Sequence, residues 1–358
     1  MNKLPMLKIG NLEINPPIIL GGMGVRITNH EMVAAAANCG LAGTIASVGL
    51  CDRKTKAEDY VKESNNALAR EIRKARKLTK GIIGVNIMGA LTNFDELVKT
   101  SIREKVDYII TGAGLPLNLP ELAKGSNIPL IPIVSSAKAA DIICKKWSKK
   151  YNRLPDAFVV EGAMAGGHLG LRYEEIPKWD ENTLLNVCKD VKKICSGYEK
   201  AAGRKIPVIA AGGIFDGKDI ARVIKAGIDG VQMATRFIAT EECTAPDNFK
   251  ELVLNSKKED MMVIKSPVGL PGRVIRNKFV EKILKGKNIE VNCPYHCLRT
   301  CDSANTPFCI AQALVNAQEG DLDNGMVMAG YNAYRINKIT SVKTLVEELV
   351  CEAGKNLS

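Results

Sequence analysis

Pro207-Val208-Ile209-Ala210-Ala211-Gly212-Gly213-Ile214 is an apolar run that stops at two glycines. A helix-length segment separates it from Ala226-Gly227-Ile228-Asp229-Gly230-Val231-Gln232-Met233-Ala234-Thr235-Arg236-Phe237. Neither run alternates polar with apolar residues, so each reads as a strand buried on both faces, the mark of a parallel sheet. Six more such runs precede them: Pro17–Leu20, Ala42–Ala46, Ile82–Ile87, Asp107–Thr111, Leu130–Val134 and Ala157–Val160. Helical patterns fill the gaps at Asn29–Cys39, Ala57–Thr79, Phe94–Glu104, Leu117–Ala123, Ala137–Tyr151, Glu181–Ala202 and Gly217–Ala226. Eight strands alternating with helices over roughly 235 residues predict a (β/α)₈ TIM barrel of α/β class, with a doubly wound sheet as the competitor. The polar and glycine-rich punctuation favours the barrel. It follows the strand ends, at Gly21–Gly24, Asn86, Thr111–Gly114, Ser135-Ser136, the His168 loop, Gly212-Gly213 and Ala234-Thr235. Barrel active sites assemble from that layer.

From about Cys243 the alternation breaks. A Pro-Gly segment, a cysteine-rich stretch, a helical run Phe308–Gln318 and a last amphipathic helix around Ser341–Ala353 follow. The predicted division is a barrel over 1–242 and a C-terminal helical cap or lid over 243–358.

Composition sets the frame. The chain has 358 residues, 46% hydrophobic and 25% charged, as in an ordinary globular protein. Its start lacks a charged region leading into a long apolar one, and its apolar runs are far shorter than a membrane span. A cytoplasmic enzyme without membrane partners is expected. The net charge of +11 comes from dispersed Lys and Arg. It predicts a solvated surface, with attraction of phosphorylated cofactors or an acidic carrier protein as the sharper reading. No aromatics interleave with the basic residues, which speaks against nucleic acid. Eleven cysteines without a secretion signal argue for reduced thiols.

Three histidines occur in the chain, and one sits in Glu161-Gly162-Ala163-Met164-Ala165-Gly166-Gly167-His168-Leu169-Gly170, directly after a buried strand. Glycines such as Gly167 let a backbone lie against a flat ligand, and an imidazole takes or gives a proton near neutral pH. His168 is therefore the expected catalytic acid/base over a bound cofactor. Gly212, Gly213 and Thr235 sit where strand-seven and strand-eight loops commonly bind phosphate. Asn86 and the Gly21–Gly24 quartet lie in the same layer.

These residues resemble the FMN-dependent nitronate monooxygenase (2-nitropropane dioxygenase) family, which includes FabK-type enoyl-[acyl carrier protein] reductases. The matching pieces are Pro17–Gly24, Gly84–Asn86, Gly112–Pro116, Glu161–Gly170, Pro207–Gly213 and Gly230–Phe237, in order over about residues 10–242. The resemblance implies a TIM barrel holding FMN. It places the phosphate at Gly212, Gly213 and Gln232, Met233, Ala234 and Thr235, and the flavin ring against Gly22, Met23 and Asn86. It assigns His168 as acid/base, and it likens Gly325–Asn332 to a late segment returning to the flavin mouth. This chain carries Met164 where many members have an acidic residue, and Ala234 where a glycine is common.

The expected activity is oxidation of small alkyl nitronates with O₂. The alternative is NAD(P)H-dependent reduction of an enoyl thioester on acyl carrier protein, and a homodimer is allowed. A non-catalytic FMN- or phosphate-binding regulator is the reading from another class. Cys293, Cys297, Cys301 and Cys309 stand apart from the barrel signature. At i and i+4 the first three share one helix face, and four thiolates could hold zinc or an iron–sulfur cluster. Packing or redox-active thiols are the competing reading.

Overall fold

The computed structural model describes residues 4–287, 289–291, 293 and 295–357. Eight parallel strands form the centre: β1 (Ile18–Leu20), β2 (Gly43–Ala46), β3 (Ile83–Met88), β4 (Tyr108–Gly112), β5 (Leu130–Val134), β6 (Phe158–Glu161), β7 (Val208–Ala211) and β8 (Gly230–Met233). They hydrogen-bond in sequence order, and β8 pairs back onto β1. The ring closes between β1 and β2, where Ile19 bridges Ala42 and Leu20 N donates to Ala42 O at 2.8 Å. The fold is a TIM barrel, and each expected strand is found to within a residue or so of its predicted ends. The predicted helices are also present, including Tyr60–Leu78, Ala137–Tyr151, Glu181–Ala202 and Ile310–Gln318.

Two apolar layers hold the barrel. One lies between the strands and the surrounding helices and includes Ile45, Val85, Trp147, Phe158 and Val231. The other fills the interior with Ile19, Tyr108, Ile110, Ile131, Val159 and Ile209. Tyr108 dominates it. Its buried hydroxyl stands 2.7 Å from Thr44 Oγ1 and donates to Gly43 O at 2.9 Å, so a large ring enters the core with its polar end satisfied. Gly84 makes room for that ring, because a Cβ there would fall 2.4 Å from it.

An antiparallel hairpin, Leu7–Ile9 with Leu12–Ile14, closes the N-terminal end of the barrel. Leu7, Ile9 and Ile14 join the interior layer, and Leu7 reaches Gly230 at the start of β8. A second antiparallel pair, Met261–Lys265 with Pro271–Ile275, lies where the sequence reads only Pro-Gly punctuation. Its second strand also pairs with Gly167–His168. The expected helix face for Cys293, Cys297 and Cys301 is not formed. Among the described residues of this stretch there is no helix, and Leu298 instead makes an antiparallel bridge to Leu91. Cys309 caps the helix Ile310–Gln318. No helix among the described residues is long and apolar enough to cross a membrane.

Candidate active site

A cavity of about 330 Å³ opens at the C-terminal end of the barrel, within the size range of small-molecule sites. The structure brings Gly22, Met23, Asn86, Gly167, His168, Gly212, Gly213, Gln232, Met233, Ala234 and Thr235 together on its wall. Of the four cysteines singled out above, Cys297 lines it and the other three lie outside.

The glycines earn their places by sterics. A Cβ on Gly22 would stand 2.7 Å from Asn86 Cβ, so the β1 end can approach the β3 end only with hydrogen there. Gly212 and Gly213 have φ of +91° and +86°, a region that disfavours any side chain. Their Cβ positions would also collide with the backbone at Gly162 and Ala165 and with Met164 Sδ, each at 2.9 Å. The β7 turn and the histidine loop are thus interlocked, with Met164 as the packing piece between them.

His168 does not sit on a loose loop. It pairs with Gly272 in the small antiparallel sheet, and Leu169 N donates to Pro271 O at 2.8 Å. Its Nε2 lies 2.8 Å from Ser266 Oγ, which fixes the ring. Burial pushes its pKa down to about 4, so the imidazole is neutral at pH 7. Behind the loop the buried Arg273 donates from Nη2 to Ala163 O at 2.7 Å, and its guanidinium lies 5.3 Å from the Tyr331 ring. Burial lowers its pKa as well.

The segment from Met328 to Ala333 stitches the same layer from above. Gly330 N donates to Thr235 Oγ1 at 2.9 Å, Tyr331 N to Met164 O at 3.0 Å, and Asn332 Nδ2 to Gly213 O at 2.7 Å. Gly166 is required here, since its Cβ would meet Ala329 C at 2.5 Å.

Sequence reasoning missed Glu161. It ends β6, faces the same cavity as His168, and burial pushes its carboxyl up to about 8. It is therefore a protonated acid at neutral pH. Its signal was a polar residue closing an apolar strand, the same signal that singled out Asn86. Ser266 and Arg273 gave none, because the strand that brings them in was not foreseen.

One polar atom bears on what the cavity takes. Gln232 Oε1, near the end of β8 and on the cavity wall, is buried without a hydrogen-bond partner, a costly state that a ligand with donors relieves. An orphan acceptor, paired glycines with positive φ and a wall open to close backbone approach fit a flat ligand with a phosphate tail. Among the described residues no three His, Cys, Asp or Glu side chains stand as ligands to one metal ion, so the zinc expectation finds no single-ion site here.

The chain matches a family model described as nitronate monooxygenase over residues 6–97 and 88–352. It is 28% identical to a (3aS,4S,5R,7aS)-5-hydroxy-7a-methyl-1-oxo-octahydro-1H-indene-4-carboxyl-CoA dehydrogenase from Mycobacterium tuberculosis (strain ATCC 25618 / H37Rv), over 97% of this chain and 95% of that protein. A protein named probable nitronate monooxygenase from Staphylococcus aureus (strain JH9) is 29% identical over 76% of this chain and 78% of its own. Among solved structures, FabK from Thermotoga maritima superposes with a TM-score of 0.74 at 28% identity, covering 95% of this chain and 93% of that one. A nitroalkane oxidase from Streptomyces ansochromogenes gives 0.72 at 21% identity over 95% and 96%, a likeness of fold.

Proposed function

The chain belongs to the nitronate monooxygenase family and is an FMN-dependent oxidoreductase, and from that premise we propose that its substrate is an acyl thioester carried on coenzyme A or acyl carrier protein. FMN, when bound, supplies the hydride chemistry. Gly22, Met23 and Asn86 would flank its ring, while Gly167 lets the histidine loop approach it. Backbone N–H groups of Gly212, Gly213 and the turn at Gln232, Met233, Ala234 and Thr235 would hold its phosphate, as strand-seven and strand-eight loops do in many barrels.

The carrying observation is one cavity walled by an uncharged carboxylic acid, Glu161, and an uncharged imidazole, His168. Reducing an α,β-unsaturated thioester leaves an enolate that must be protonated at the α-carbon. Glu161 carries a proton to give at pH 7, whereas His168, with its pKa near 4, does not. His168 is suited to orient the thioester carbonyl side or to receive a proton. Positioned proton donors of this kind are worth roughly 10²–10⁴ in rate. The full-length match to a CoA-thioester dehydrogenase and the likeness to FabK support this reading. So does the net charge of +11, which favours phosphorylated handles and acidic carriers.

Nitronate oxidation is the second reading, favoured by the neutral His168, a base able to remove a proton beside a nitro group. A nitronate, however, arrives as an anion and needs no proton from Glu161. Parallel assays separate the two: crotonyl thioester with NAD(P)H against propyl nitronate with O₂. Thioester turnover supports the proposal, and O₂ consumption on the nitronate alone overturns it.

A further inference from the structure

The active-site cavity extends past the residues that would hold the cofactor. Among the described residues of its wall, Asp52 and Arg53 are the exposed ones and mark its mouth. The helix Ile310–Gln318 forms the wall inward from there. Arg53 pairs with Glu319 just beyond the helix's C-terminal end, while Ile310, Ala311, Leu314 and Val315 face the cavity. Residues three and four apart lie on one helix face, and every side chain on this face is apolar. Val25 borders the same space and is fixed there, since Gly49 packs so closely that a Cβ on it would stand 2.6 Å from Val25 Cγ1.

A second, smaller hollow of about 20 Å³ adjoins this wall. It is lined by apolar residues, among them Val25, Ile27, Ile238, Phe249, Leu314 and Met326. On the same measure a water needs roughly 10–15 Å³ and two or more polar partners, so the hollow has room for a methyl-sized group and little to hold a water. Leu314 borders both spaces. So does Met328, but it is held by its bridge to Val274. Leu314 is only half-buried, and it is the part of the partition that stands on the helix lining the way in.

This arrangement deepens the thioester reading and rests on it. With the reacting carbons beside Glu161 and His168, the polar handle of the carrier has to reach solvent through the mouth at Asp52 and Arg53. The hydrocarbon part is left with the apolar face of the helix. We propose that Leu314 is the stop that sets the length of acyl group the enzyme accepts. The distal end of the chain rests against Leu314, and the hollow behind it is the space that a smaller residue there would open.

The test is a chain-length profile of the flavin-loaded enzyme with NAD(P)H on straight-chain 2-enoyl-CoA thioesters, from crotonyl upward. Calorimetric titration with the corresponding saturated acyl-CoAs gives a readout free of turnover. Leu314→Ala joins the hollow to the cavity and should lengthen the preferred chain. For a thioester two carbons longer than the wild-type optimum, kcat/KM relative to that optimum should rise roughly 10- to 200-fold, with the Kd of the saturated counterpart falling in parallel. Leu314→Phe fills the space and should shorten the preferred chain. Leu314→Val should move the preference in the same direction as alanine by less, and retained flavin reports in each case that the barrel is folded. A wild-type enzyme that turns over crotonyl-CoA, with the same preferred chain in the alanine, valine and phenylalanine variants, overturns the role of Leu314 alone. A wild-type enzyme that neither binds nor reduces any thioester in the series overturns the thioester reading, and this inference with it.

Discussion

Replacing Glu161 by Gln should remove a pH dependence of stability that the wild-type chain carries. The carboxyl is raised from its ordinary 4.5 to about 8 in the folded protein. Between those values the unfolded chain has lost its proton while the native chain keeps it, so ionisation favours unfolding and stability falls as pH rises. Below about 4.5 both states are protonated and the penalty vanishes. At 1.36 kcal/mol per pKa unit, the penalty reaches roughly 3 kcal/mol at pH 7. Between pH 5 and pH 8 it changes by about the same amount. Glutamine occupies nearly the same volume and does not titrate. Thermal unfolding of the two proteins in parallel from pH 5 to pH 9 is the assay. The melting temperature of the variant should gain on the wild type steadily up to about pH 8 and then level off. At roughly 2 °C per kcal/mol for a chain of this size, the relative gain is on the order of 6 °C. A difference between the two proteins that stays constant across this range would refute the neutral carboxyl, and with it the proton donor. The same variant should lose roughly 10²–10⁴ in thioester turnover, and wild-type turnover should decline above about pH 8.

Three further outcomes check other parts of the account. His168→Ala should bind flavin normally while turnover falls by two orders of magnitude or more, measured by flavin absorbance and steady-state rate. Ser266→Ala removes the contact to Nε2; one hydrogen bond is worth about 0.5–1.5 kcal/mol, so kcat should drop roughly 2- to 10-fold with KM little changed. Gly84→Ala would push a methyl to 2.4 Å from the Tyr108 ring, an overpacking cost of about 1–3 kcal/mol, seen as a melting temperature lowered by several degrees.

The barrel was legible because its strands are buried on both faces, so each reads as an unbroken apolar run, as in Phe158–Val160 and Val208–Ala211. Asn86, His168 and the Gly212-Gly213 pair were legible because polar or glycine residues interrupt those runs at one end. What escaped notice lies in short or irregular pieces. The hairpin Leu7–Ile14 is two three-residue strands around Gly10-Asn11, too brief for periodicity to register, although a turn pair between alternating triplets was there to read. The pair Met261–Lys265 and Pro271–Ile275 hid behind its Pro-Gly turn. That strand pair is what turns the histidine loop from a mobile segment into an anchored one, and it brings Ser266 and Arg273 from about a hundred residues away. Such contacts leave no local trace in sequence. The helix expected at the cysteines failed for a related reason: an i,i+4 spacing is necessary for a shared helix face but does not by itself make a helix, and the Leu298–Leu91 bridge is incompatible with one.

The central claim is that the cavity reduces an acyl thioester with Glu161 delivering the proton. It is tested most directly by running the reaction on crotonyl-CoA and NAD(P)H in D₂O and locating the label in the product. The account predicts one solvent deuterium at the α-carbon, and sharply slowed turnover in Glu161→Gln. Absence of product, with propyl nitronate consumed and O₂ taken up by the same preparation, would contradict it.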